Sequence, residues 1–590
     1  MIHVGLFVRK GEDSMKTARW KKRETDLETV YAIKKALGVS FAVANVLQAR
    51  GIQTPEEAQR FMTPELRHLH APMLLKDMTV AVERILRGMA QGERMTIFGD
   101  FDVDGMTSVS TLMDYFNVVY PNMVDFYIPA RSEGYGLNKA ALEQIHAAGT
   151  TLVISVDCGI TAVEEATFAR DIGLDLIITD HHAAPEILPE AVAVINPRRQ
   201  DETYPFAHLA GVGVAYKLAV ALQQEIRHPS FDAELTTLLD LVALGTVADL
   251  MPLQDENRIL VSKGLERIND KTSRAGMQTL LKEIGLDDKK ITSGHLGFQV
   301  GPRINAIGRL TTLCHTVVEL FTSQEADEAR RIEIASNLSA MNEQRKNIQE
   351  GMLKEADQLY HETKPNHSHF ILLSKEGWNS GIKGIVASNL IERYYKPIIL
   401  ATPVPNTDLI EGSARSIEGF NIKEALDEIK HLFLRYGGHD SAAGMTFHKD
   451  NLEEIHRCLN EIAARELQEE DYLPVIRYDA EISERDILFS AVRELEQLEP
   501  FGAGNASPQF LYTELYPSNI QSVGKEKEHL RMQVSKLQKK FGTIGFQLGT
   551  WKTILEEGYG MVDVLCTMGI NEYMGKQSLQ LILKDVRYCE

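Results

Sequence analysis

Cysteine is scarce in this sequence. Its 590 residues contain five cysteines, and none of them belongs to a C-x-x-C pair. An odd number of widely spaced thiols argues against a disulfide framework, and the missing pairs argue against a zinc knuckle. The chemistry of the protein must therefore rest on other side chains.

Long hydrophobic runs are also missing. No apolar stretch approaches the roughly 18 residues that a membrane-spanning helix needs. The run "VGLFV" at positions 4–8 is too short for the core of a signal peptide. We therefore expect a cytoplasmic protein that does not enter a membrane. The first residues, up to Ser14, are expected to be a disordered leader, with Met15 as an alternative start.

Positive charge is in deficit. The chain has 63 basic and 83 acidic residues, which gives a formal net charge of −20. Indiscriminate coating of nucleic acid depends on phosphate neutralisation by lysine and arginine, so this balance argues against it. A narrow basic channel remains compatible with the composition. Carboxylates that hold divalent cations also inflate the formal negative charge, because the bound ions are not counted.

The length of the chain predicts several domains, roughly three to five at about 100–200 residues each. Strand-like and helical runs alternate first, which predicts a parallel α/β sheet. A long charged helix and a second α/β unit follow, and short glycine-separated strands near the C-terminus indicate an OB-fold β-barrel. The predicted parts are a helical N-terminal appendage (1–70), a first α/β domain (71–310), a connecting helix (311–364), a second α/β domain (365–466) and a barrel (467–590), whose fold is commonly used to bind single strands.

Three aspartates alternate in the stretch 96–108, "TIFGDFDVDGMTS", and a glycine follows them. Asp100, Asp102 and Asp104 begin like a calcium-binding EF-hand loop. Loop position 12 is Thr111, however, which offers no bidentate carboxylate. The loop lies between a predicted strand and a predicted helix, so its acids should project from the carboxyl end of a strand of an open sheet. The alternative that one or two of them only cap the helix or form Asx turns stays open.

Further acids and imidazoles follow other predicted elements. They are Asp157 after "LVISV", Asp180, His181 and His182 after "LDLIIT", and Asp249 after an apolar helix. Mg²⁺ and Mn²⁺ prefer carboxylates, and Mn²⁺ also accepts imidazole. A pair of such ions about 3.5–4 Å apart needs a bridging carboxylate and activates water for attack on a phosphate. Asp157 is the predicted bridge, while a simple capped turn is the alternative for His181 and His182.

These motifs resemble those of the DHH phosphoesterase superfamily. They are, in order, "DFDVDG", "SVDCG", "TDHH" and "GTVAD". Four later motifs, "GPRINAIGR", "GWNSGIKGIVAS", "GSARSIEGFN" and "GGHDSAAG", narrow the resemblance to the RecJ family of single-strand-specific 5′ to 3′ DNA exonucleases. The resemblance covers nearly the whole chain from Arg19 onwards.

The resemblance implies two Mn²⁺ or Mg²⁺ ions, an accessory DHHA1-type domain and an OB-fold that grips the DNA strand. Carried over to this sequence, the implied metal ligands are Asp100, Asp102, Asp157, His181 and Asp249. His182 is implied to support the ligands or to contact phosphate, and Asp104 to support the site.

The sequence departs from the usual family pattern at two positions. Many superfamily members have a histidine four residues before the first aspartate, where this chain has Thr96. One cation is then expected to be held more weakly or by water. The motif "GWNSG" carries Asn379 where a histidine is expected, and an amide cannot titrate near neutral pH.

Substrate contacts are predicted in the later motifs. Arg303 and Arg309, with Asn305 between them, are expected on a glycine-flanked loop that contacts phosphate, with structural salt bridges as the alternative. "GGHDSAAG" resembles a glycine nest that opens a helix and holds a terminal phosphate. The residues predicted to bind substrate are Arg303, Asn305, Arg309, Asn379, Arg415, Ser416, Gly437, Gly438 and His439.

The sequence thus predicts a metal-dependent exonuclease that degrades single-stranded DNA from its 5′ end to 5′-mononucleotides, in DNA repair and recombination. The expected partners are single-stranded DNA, a single-strand-binding protein and a helicase, and the expected state is a monomer. One alternative is a DHH phosphodiesterase of short oligonucleotides or cyclic dinucleotides. Another is a non-catalytic replication scaffold of the same fold, although every metal-binding acid matched here is present.

Overall fold

A computed structural model describes residues 18–322, 327–363, 368–558, 560–573 and 575–589. The predicted leader therefore lies outside the described residues. The strands are β1 (Arg19–Lys22), β2 (Met95–Phe98), β3 (Val124–Tyr127), β4 (Leu152–Val156), β5 (Asp175–Thr179), β6 (Ala193–Ile195), β7 (Ile371–Ser374), β8 (Ile398–Pro403), β9 (Leu409–Arg415), β10 (Arg435–Gly438), β11 (Ala442–His448), β12 (Val475–Tyr478), β13 (Ala480–Glu481), β14 (Phe510–Val523), β15 (His529–Lys536), β16 (Lys539–Gly545), β17 (Val562–Tyr573) and β18 (Lys576–Tyr588).

Helices separate and cover these strands. They are α1 (Leu27–Leu37), α2 (Phe41–Ala49), α3 (Pro55–Met62), α4 (Met78–Gln91), α5 (Val103–Val119), α6 (Lys139–Ala147), α7 (Val163–Asp171), α8 (Gly211–Ile226), α9 (Leu239–Ala248), α10 (Asp255–Asn269), α11 (Ala275–Glu283), α12 (Ser293–His295), α13 (Gly301–Leu310), α14 (His315–Thr322), α15 (Glu328–Thr363), α16 (Lys383–Tyr394), α17 (Ile422–Glu428), α18 (Leu452–Glu466), α19 (Phe489–Glu496) and α20 (Trp551–Glu557). None of them, within the described ranges, is long and apolar enough to cross a membrane.

The chain folds into two compact units, each built from separate segments. The first unit combines Ile52–Glu343 with the short segment Gln497–Ser507. The second unit combines the described residues of Ile2–Gly51, Gln344–Glu496 and Pro508–Glu590. The division between them falls inside the long helix α15.

The first unit contains a five-stranded parallel sheet in the order β3-β2-β4-β5-β6, as the sequence predicts. Every residue of β2 and β4 is buried, which is typical of a parallel sheet covered on both faces. Side chains alternate between two cores. Ile97 and Ile154 pack beneath α5 and α8, whereas Phe98 and Val153 pack beneath α6 and α7. The carboxyl ends of β2, β4 and β5 therefore lie side by side at one edge.

The second unit contains a mixed sheet and a barrel. The sheet has the order β10-β11-β9-β8-β7, in which β7 and β8 are parallel and the other pairs are antiparallel. Strands β14, β15, β16, β18 and β17 follow one another around the barrel, which closes by pairing of β14 with β17. This closed barrel confirms the OB-fold prediction, and with the parallel sheet it confirms the multidomain α/β fold class.

The structure differs from the sequence prediction near the N-terminus, which was expected to be helical. Residues 19–22 form β1, which pairs in parallel with β12 of the same unit. Trp20 packs with Tyr478 and Leu511 in a small apolar cluster. The strand exists because of a partner about 450 positions away in the chain, for example Arg19 opposite Val475, so local sequence could not reveal it.

Candidate active site

Acidic and imidazole side chains gather at the carboxyl edge of the parallel sheet. Asp100 and Asp102 follow β2, Asp157 follows β4, His181 follows β5, and Asp249 ends α9. Because β2, β4 and β5 are neighbours in the sheet, the loops after them meet. The structure thus brings together all the metal ligands that the resemblance implies.

The first group of possible cation ligands consists of Asp100, Asp102 and Asp157. One oxygen from each lies within 4.8 Å of the other two. Asp102 also caps α5, since its carboxylate accepts a hydrogen bond from the Gly105 backbone at 3.0 Å. The capping alternative for these aspartates is therefore correct for Asp102, and it is compatible with a place in the cation site because a carboxylate has a second oxygen.

The second group lies around His181. Its Nε2 atom is 3.1 Å from Asp157 Oδ1, 3.6 Å from Asp249 Oδ2 and 3.8 Å from Asp104 Oδ2. Asp104, His181 and Asp249 offer ligand atoms within 4.8 Å of one another. Asp157 belongs to the first group and also contacts His181, so it stands between the two groups, as a bridging carboxylate must.

The backbone at Asp157 is held in an unusual conformation. Its φ of 59° lies in the left-handed region, which an aspartate adopts at some cost. Gly211, the first residue of α8, lies so close that an added Cβ would be 2.4 Å from Asp157 Oδ1. The glycines of "AGVGVAYK" thus allow close packing between α8 and the sheet edge.

Asp104 has a supporting position. Its two carboxylate oxygens accept hydrogen bonds from the backbone amides of Gly211 at 2.7 Å and Val212 at 2.8 Å. These amides have no acceptor within α8 because they lie at its N-terminus, where the helix dipole favours a carboxylate. Asp104 therefore fixes the N-terminus of α8 against the first turn of α5.

His182 is oriented by Asp180, an acid that the sequence places at the same strand end but to which no role was assigned. Asp180 Oδ1 contacts His182 Nδ1 at 2.7 Å and accepts hydrogen bonds from the backbone amides of His181 and His182. Burial opposes the charged imidazole, but the Asp180 hydrogen bond and charge prevail and raise the pKa of His182 to about 9. The imidazole is thus held as a cation beside the cluster.

Sequence reasoning missed two further residues beside the site. The Tyr135 hydroxyl lies 3.2 Å from His182 Nε2, and Arg131 stacks on Phe101 with its guanidinium carbon 4.3 Å from the ring centroid. Both follow β3 in a short irregular segment. Such a segment has neither a hydrophobic period nor a motif, so no sequence signal was available for them.

The cluster is electrostatically costly without a cation. Burial and the neighbouring carboxylates raise the pKa of Asp100 and Asp249 to about 8 and that of Asp104 to about 7. The same causes raise the pKa of Asp157 well above its usual range. Burial lowers the pKa of His181 to about 4. A divalent cation would favour the ionised carboxylates and the neutral imidazole together.

Buried polar atoms that make no hydrogen bond also indicate a site for a divalent cation. Asp100 Oδ1, Asp157 Oδ1 and His181 Nε2 are buried and make no hydrogen bond in the described part of the chain. Buried polar atoms are normally paired, and these three are aimed into one cluster of oxygen and nitrogen donors. Such a donor set fits Mn²⁺ or Mg²⁺.

Thr96 lies within β2 and does not extend the cluster. Its hydroxyl makes a 2.8 Å hydrogen bond with the Thr150 hydroxyl, and it is buried. The position where many superfamily members have a histidine is thus occupied by a residue that stabilises the sheet.

The structure corrects the prediction for the stretch 301–309, which forms helix α13 rather than a loop. Asn305 Oδ1 accepts a hydrogen bond from the Val103 backbone at 3.2 Å, which joins α13 to the start of α5. Arg303 donates to the Gln299 carbonyl at 2.6 Å, and Arg309 lies in the last turn. Gly308 allows this packing, because an added Cβ would be 2.3 Å from the Phe101 carbonyl oxygen.

The stretch "GGHDSAAG" is also corrected. It forms the β10–β11 hairpin instead of opening a helix, with Gly437 and Gly438 in β10 and His439 in the turn. Gly438 has a φ of 149°, and an added Cβ would be 2.2 Å from the Ala442 carbonyl oxygen. The hairpin therefore needs a glycine at this position for backbone reasons.

The remaining predicted substrate residues lie near this hairpin. Arg415 ends β9 opposite Ala442, and the Ser416 amide donates to the Ser441 carbonyl at 2.9 Å. The Arg415 guanidinium covers the start of α16, where an added Cβ at Gly384 would be 2.6 Å from its Nη2 atom. Asn379 forms the turn before α16, since its side-chain oxygen accepts from the Gly381 amide at 2.9 Å. The sheet end of the second unit thus gathers these groups.

Three family models match the chain. The DHH family N-terminal domain matches residues 94–246, the DHHA1 domain matches 367–465, and the RecJ OB domain matches 478–585. The first match contains Asp100, Asp102, Asp157 and His181 but ends before Asp249, and the second contains the hairpin and Arg415.

Curated relatives resemble the chain over most of its length. It is 37% identical over 573 residues to the single-stranded-DNA-specific exonuclease RecJ of Bacillus subtilis, covering 97% of this chain and 71% of that protein. It is 32% identical over 557 residues to the protein of the same name from Escherichia coli, covering 91% of this chain and 94% of that one.

Solved structures resemble the chain in the same way. The crystal structure of RecJ in complex with Mn²⁺ from Thermus thermophilus matches with a TM-score of 0.82 at 26% identity, covering 98% of this chain and 80% of that one. A crystal structure of exonuclease RecJ bound to manganese matches with a TM-score of 0.58 at 29% identity, covering 69% of this chain and 98% of that one.

Proposed function

Since this chain belongs to the RecJ family of single-stranded-DNA-specific exonucleases, we propose that it hydrolyses single-stranded DNA from the 5′ end and releases 5′-mononucleotides. The observation that carries this function is the convergence of Asp100, Asp102, Asp157, His181 and Asp249 on one sheet edge. Hydrolysis of phosphodiester bonds in DNA repair and recombination is in keeping with that family.

The enzyme is metal-dependent, and Mn²⁺ or Mg²⁺ is its cofactor. We propose that Asp100 and Asp102 hold one ion, that His181 and Asp249 hold the other, and that Asp157 bridges them. When bound, the two ions would lower the pKa of a water molecule and stabilise the negative charge on the phosphate. The buried, unpartnered oxygens of Asp100 and Asp157 support this assignment.

His182 has a different part in the proposed site. Its Nδ1 atom is engaged by Asp180, which leaves Nε2 near the Tyr135 hydroxyl. The raised pKa of His182 keeps a proton on the imidazole near neutral pH. We propose that this imidazolium donates a hydrogen bond to a phosphate oxygen and so places the scissile group over the cluster.

Other proposed contacts hold the DNA strand by its backbone. Arg303, Asn305 and Arg309 on α13 lie beside the loop that carries the first acids, because Asn305 is fastened to Val103. The group Asn379, Arg415, Ser416, Gly437, Gly438 and His439 is proposed to receive the 5′ end. Contacts of this kind read phosphate and sugar, so the sequence preference should be low.

The proposed organisation keeps the five parts expected from the sequence, with boundaries near residues 70, 310, 364 and 466. We further propose that the protein acts as a monomer in the cytoplasm and that it cooperates with a single-strand-binding protein and a helicase. These partners follow from the chemistry, since they would supply and present single strands.

Two rival functions make different predictions. A phosphodiesterase of short oligonucleotides or cyclic dinucleotides needs no barrel that grips a strand, yet this chain has a closed one. A non-catalytic scaffold needs no complete cation site, yet the cluster retains every acid.

The test is digestion of 5′-labelled single strands of graded length, with Mn²⁺ present or chelated. The expected result is Mn²⁺-dependent release of labelled mononucleotides from long strands, with duplex resistant. Activity confined to the shortest oligonucleotides would favour the phosphodiesterase, complete inactivity would favour the scaffold, and release from the 3′ end would overturn the proposed polarity.

A further inference from the structure

The segment Gln497–Ser507, "QLEPFGAGNAS", has a role that the sequence did not suggest. It lies within the range predicted for the C-terminal barrel domain, but in the structure it belongs to the first unit, with the parallel sheet. We call this segment the strap. The chain enters the strap after α19 of the second unit and returns to the second unit at Pro508.

Arg258 of α10 anchors the strap. Its side chain is buried, and its guanidinium donates to the carbonyls of Leu498 at 3.0 Å and Glu499 at 2.9 Å, with longer contacts to the neighbouring strap carbonyls. It also donates to the Phe61 carbonyl at 2.7 Å and stacks on the Phe61 ring at 3.8 Å. All these acceptors are backbone oxygens. The arginine is therefore matched in shape to a folded strap.

The strap is internally fixed. The Asn505 side chain is fully buried and donates to the carbonyls of Leu498 at 2.8 Å and Pro500 at 2.9 Å. Gly502 and Asn505 form a backbone bridge, and the Ser293 hydroxyl donates to the Phe501 carbonyl. These hydrogen bonds fix the backbone conformation of the strap.

Its neighbour is the turn that follows Asp249. The Leu253 amide donates to the Ala503 carbonyl at 2.8 Å, and the Gln254 side chain donates to the Gly504 carbonyl at 3.2 Å. The fit is close, because a Cβ added at Gly502 would be 2.7 Å from Leu253 Cδ1. Leu253 is buried in the same core as the helices around the site.

The turn between Asp249 and Leu253 is short and rigid. Leu250 has a φ of 58°, and the Met251 amide donates back to the Thr246 carbonyl at 3.2 Å. Within the described residues no hydrogen bond is made to the Asp249 carboxylate, which lies 3.6 Å from His181 Nε2. The backbone must therefore set the position of this carboxylate, and the backbone is clamped by the strap.

We propose that the strap, anchored by Arg258, is a positioning element that holds Asp249 where it binds a divalent cation. This inference rests on the proposed assignment of Asp249 as a metal ligand. Outer partners of metal ligands typically change metal affinity by about 10–100-fold when they are lost. A small movement of the turn should therefore appear as weaker cation binding, before any DNA is added.

The experiment measures Mn²⁺ binding to the full-length chain by electron paramagnetic resonance, without DNA. Arg258→Lys removes the guanidinium that donates to several strap carbonyls. Gly502→Ala adds a methyl group that contacts Leu253 closely enough to displace it slightly. Two variants in the same unit serve as matched controls. Arg84→Lys alters another buried arginine. Gly88→Ala, in α4, places a Cβ 2.7 Å from the end of the Met95 side chain, at the start of β2 and away from the site.

The expected result is that both strap variants weaken Mn²⁺ binding by about tenfold, while both controls bind like the parent. Asp249→Asn is measured in parallel. If it weakens binding and the strap variants match their controls, the positioning role of the strap is overturned and the assignment of Asp249 stands. If Asp249→Asn leaves binding unchanged, the assignment itself is overturned, and the strap inference falls with it.

Discussion

Two buried carboxylates of the second unit, Asp479 and Asp585, differ in their hydrogen-bond partners from the carboxylates at the sheet edge of the first unit. In the second unit Asp479 is paired with Arg50 at 2.5 Å and accepts from the Gln509 amide at 2.8 Å. Asp585 accepts a 2.8 Å hydrogen bond from the Trp20 indole. Each of these acids has a partner supplied by the chain itself, as a buried charge requires.

Two carboxylates at the sheet edge of the first unit, Asp100 and Asp157, lack such partners for one of their oxygens. Asp100 and Asp157 each have a buried oxygen without a hydrogen bond in the described part of the chain, and His181 is the nearest nitrogen to Asp157. A folded protein tolerates this arrangement where an outside charge completes it. Asp100 and Asp157 therefore lie beside a position that lacks positive charge, whereas Asp479 and Asp585 each have a hydrogen-bond partner within the chain.

The largest expected effect comes from removing the bridge. Asp157→Asn should lower exonuclease activity more than about a thousandfold, beyond the 10–100-fold typical of outer partners, because both proposed ions lose a ligand. Thermal unfolding should stay near that of the parent, since a buried, unpartnered charge is removed. Release of mononucleotides and circular dichroism are the two measurements. Activity within tenfold of the parent would remove Asp157 from the site.

Breaking the Asp479–Arg50 pair of the second unit should lower stability and leave hydrolysis intact, the reverse of the effect at Asp157. Asp479→Ala removes the carboxylate that pairs with the buried Arg50 guanidinium, which should lower the free energy of unfolding of the second unit by about 3 kcal/mol. Urea unfolding followed by fluorescence would measure it. Hydrolysis of very short oligonucleotides should persist under native conditions. A large loss of that activity with unchanged stability would contradict the division of roles.

The second unit should matter for the 5′ end of the strand. Arg415→Gln removes a charged donor beside the β10–β11 hairpin, and a charge-assisted hydrogen bond is worth about 1.5–3 kcal/mol. We expect KM for a 5′-phosphorylated strand to rise about tenfold, with little change for a 5′-hydroxyl strand. Steady-state kinetics on the two substrates would show this. Equal effects on both would assign Arg415 to general strand binding.

A smaller, pH-dependent effect is expected in the barrel. Burial raises the pKa of Asp585 to about 6, despite the Trp20 hydrogen bond. The folded state therefore binds a proton more readily than the unfolded state, and the parent loses stability as the pH rises from about 4 through 6. Asp585→Asn keeps an acceptor for Trp20 without the charge. It should unfold like the parent below about pH 4 and become progressively more stable than the parent as the pH rises through 6. A constant difference at every pH would exclude this cause.

Much of the fold was predictable from the sequence. The strands β2, β4 and β5 are continuous apolar runs bounded by acids, and a parallel sheet places their carboxyl ends on one edge. The approximate location of Asp100, Asp157 and His181 followed directly. The barrel was also predictable, since short strands separated by glycines have few other ways to close.

Other features depend on distant partners and could not be predicted. The stretch 301–309 contains glycines and a proline, which suggested a loop, but Pro302 occupies the first turn of α13, where proline is tolerated. "GGHDSAAG" needed β9 as a neighbour to form a hairpin. The strap needed Arg258, which lies about 240 positions earlier in the chain.

The most direct test of the central claim is the stoichiometry of Mn²⁺ bound to the parent chain without DNA, measured beside Asp157→Asn. The unpartnered carboxylates predict two ions per parent chain and a rise in the unfolding temperature that grows with Mn²⁺ concentration, by linkage. The variant should lose both effects. If the parent binds no Mn²⁺ at millimolar concentration, or if the variant binds it equally well, the sheet edge is not a cation site.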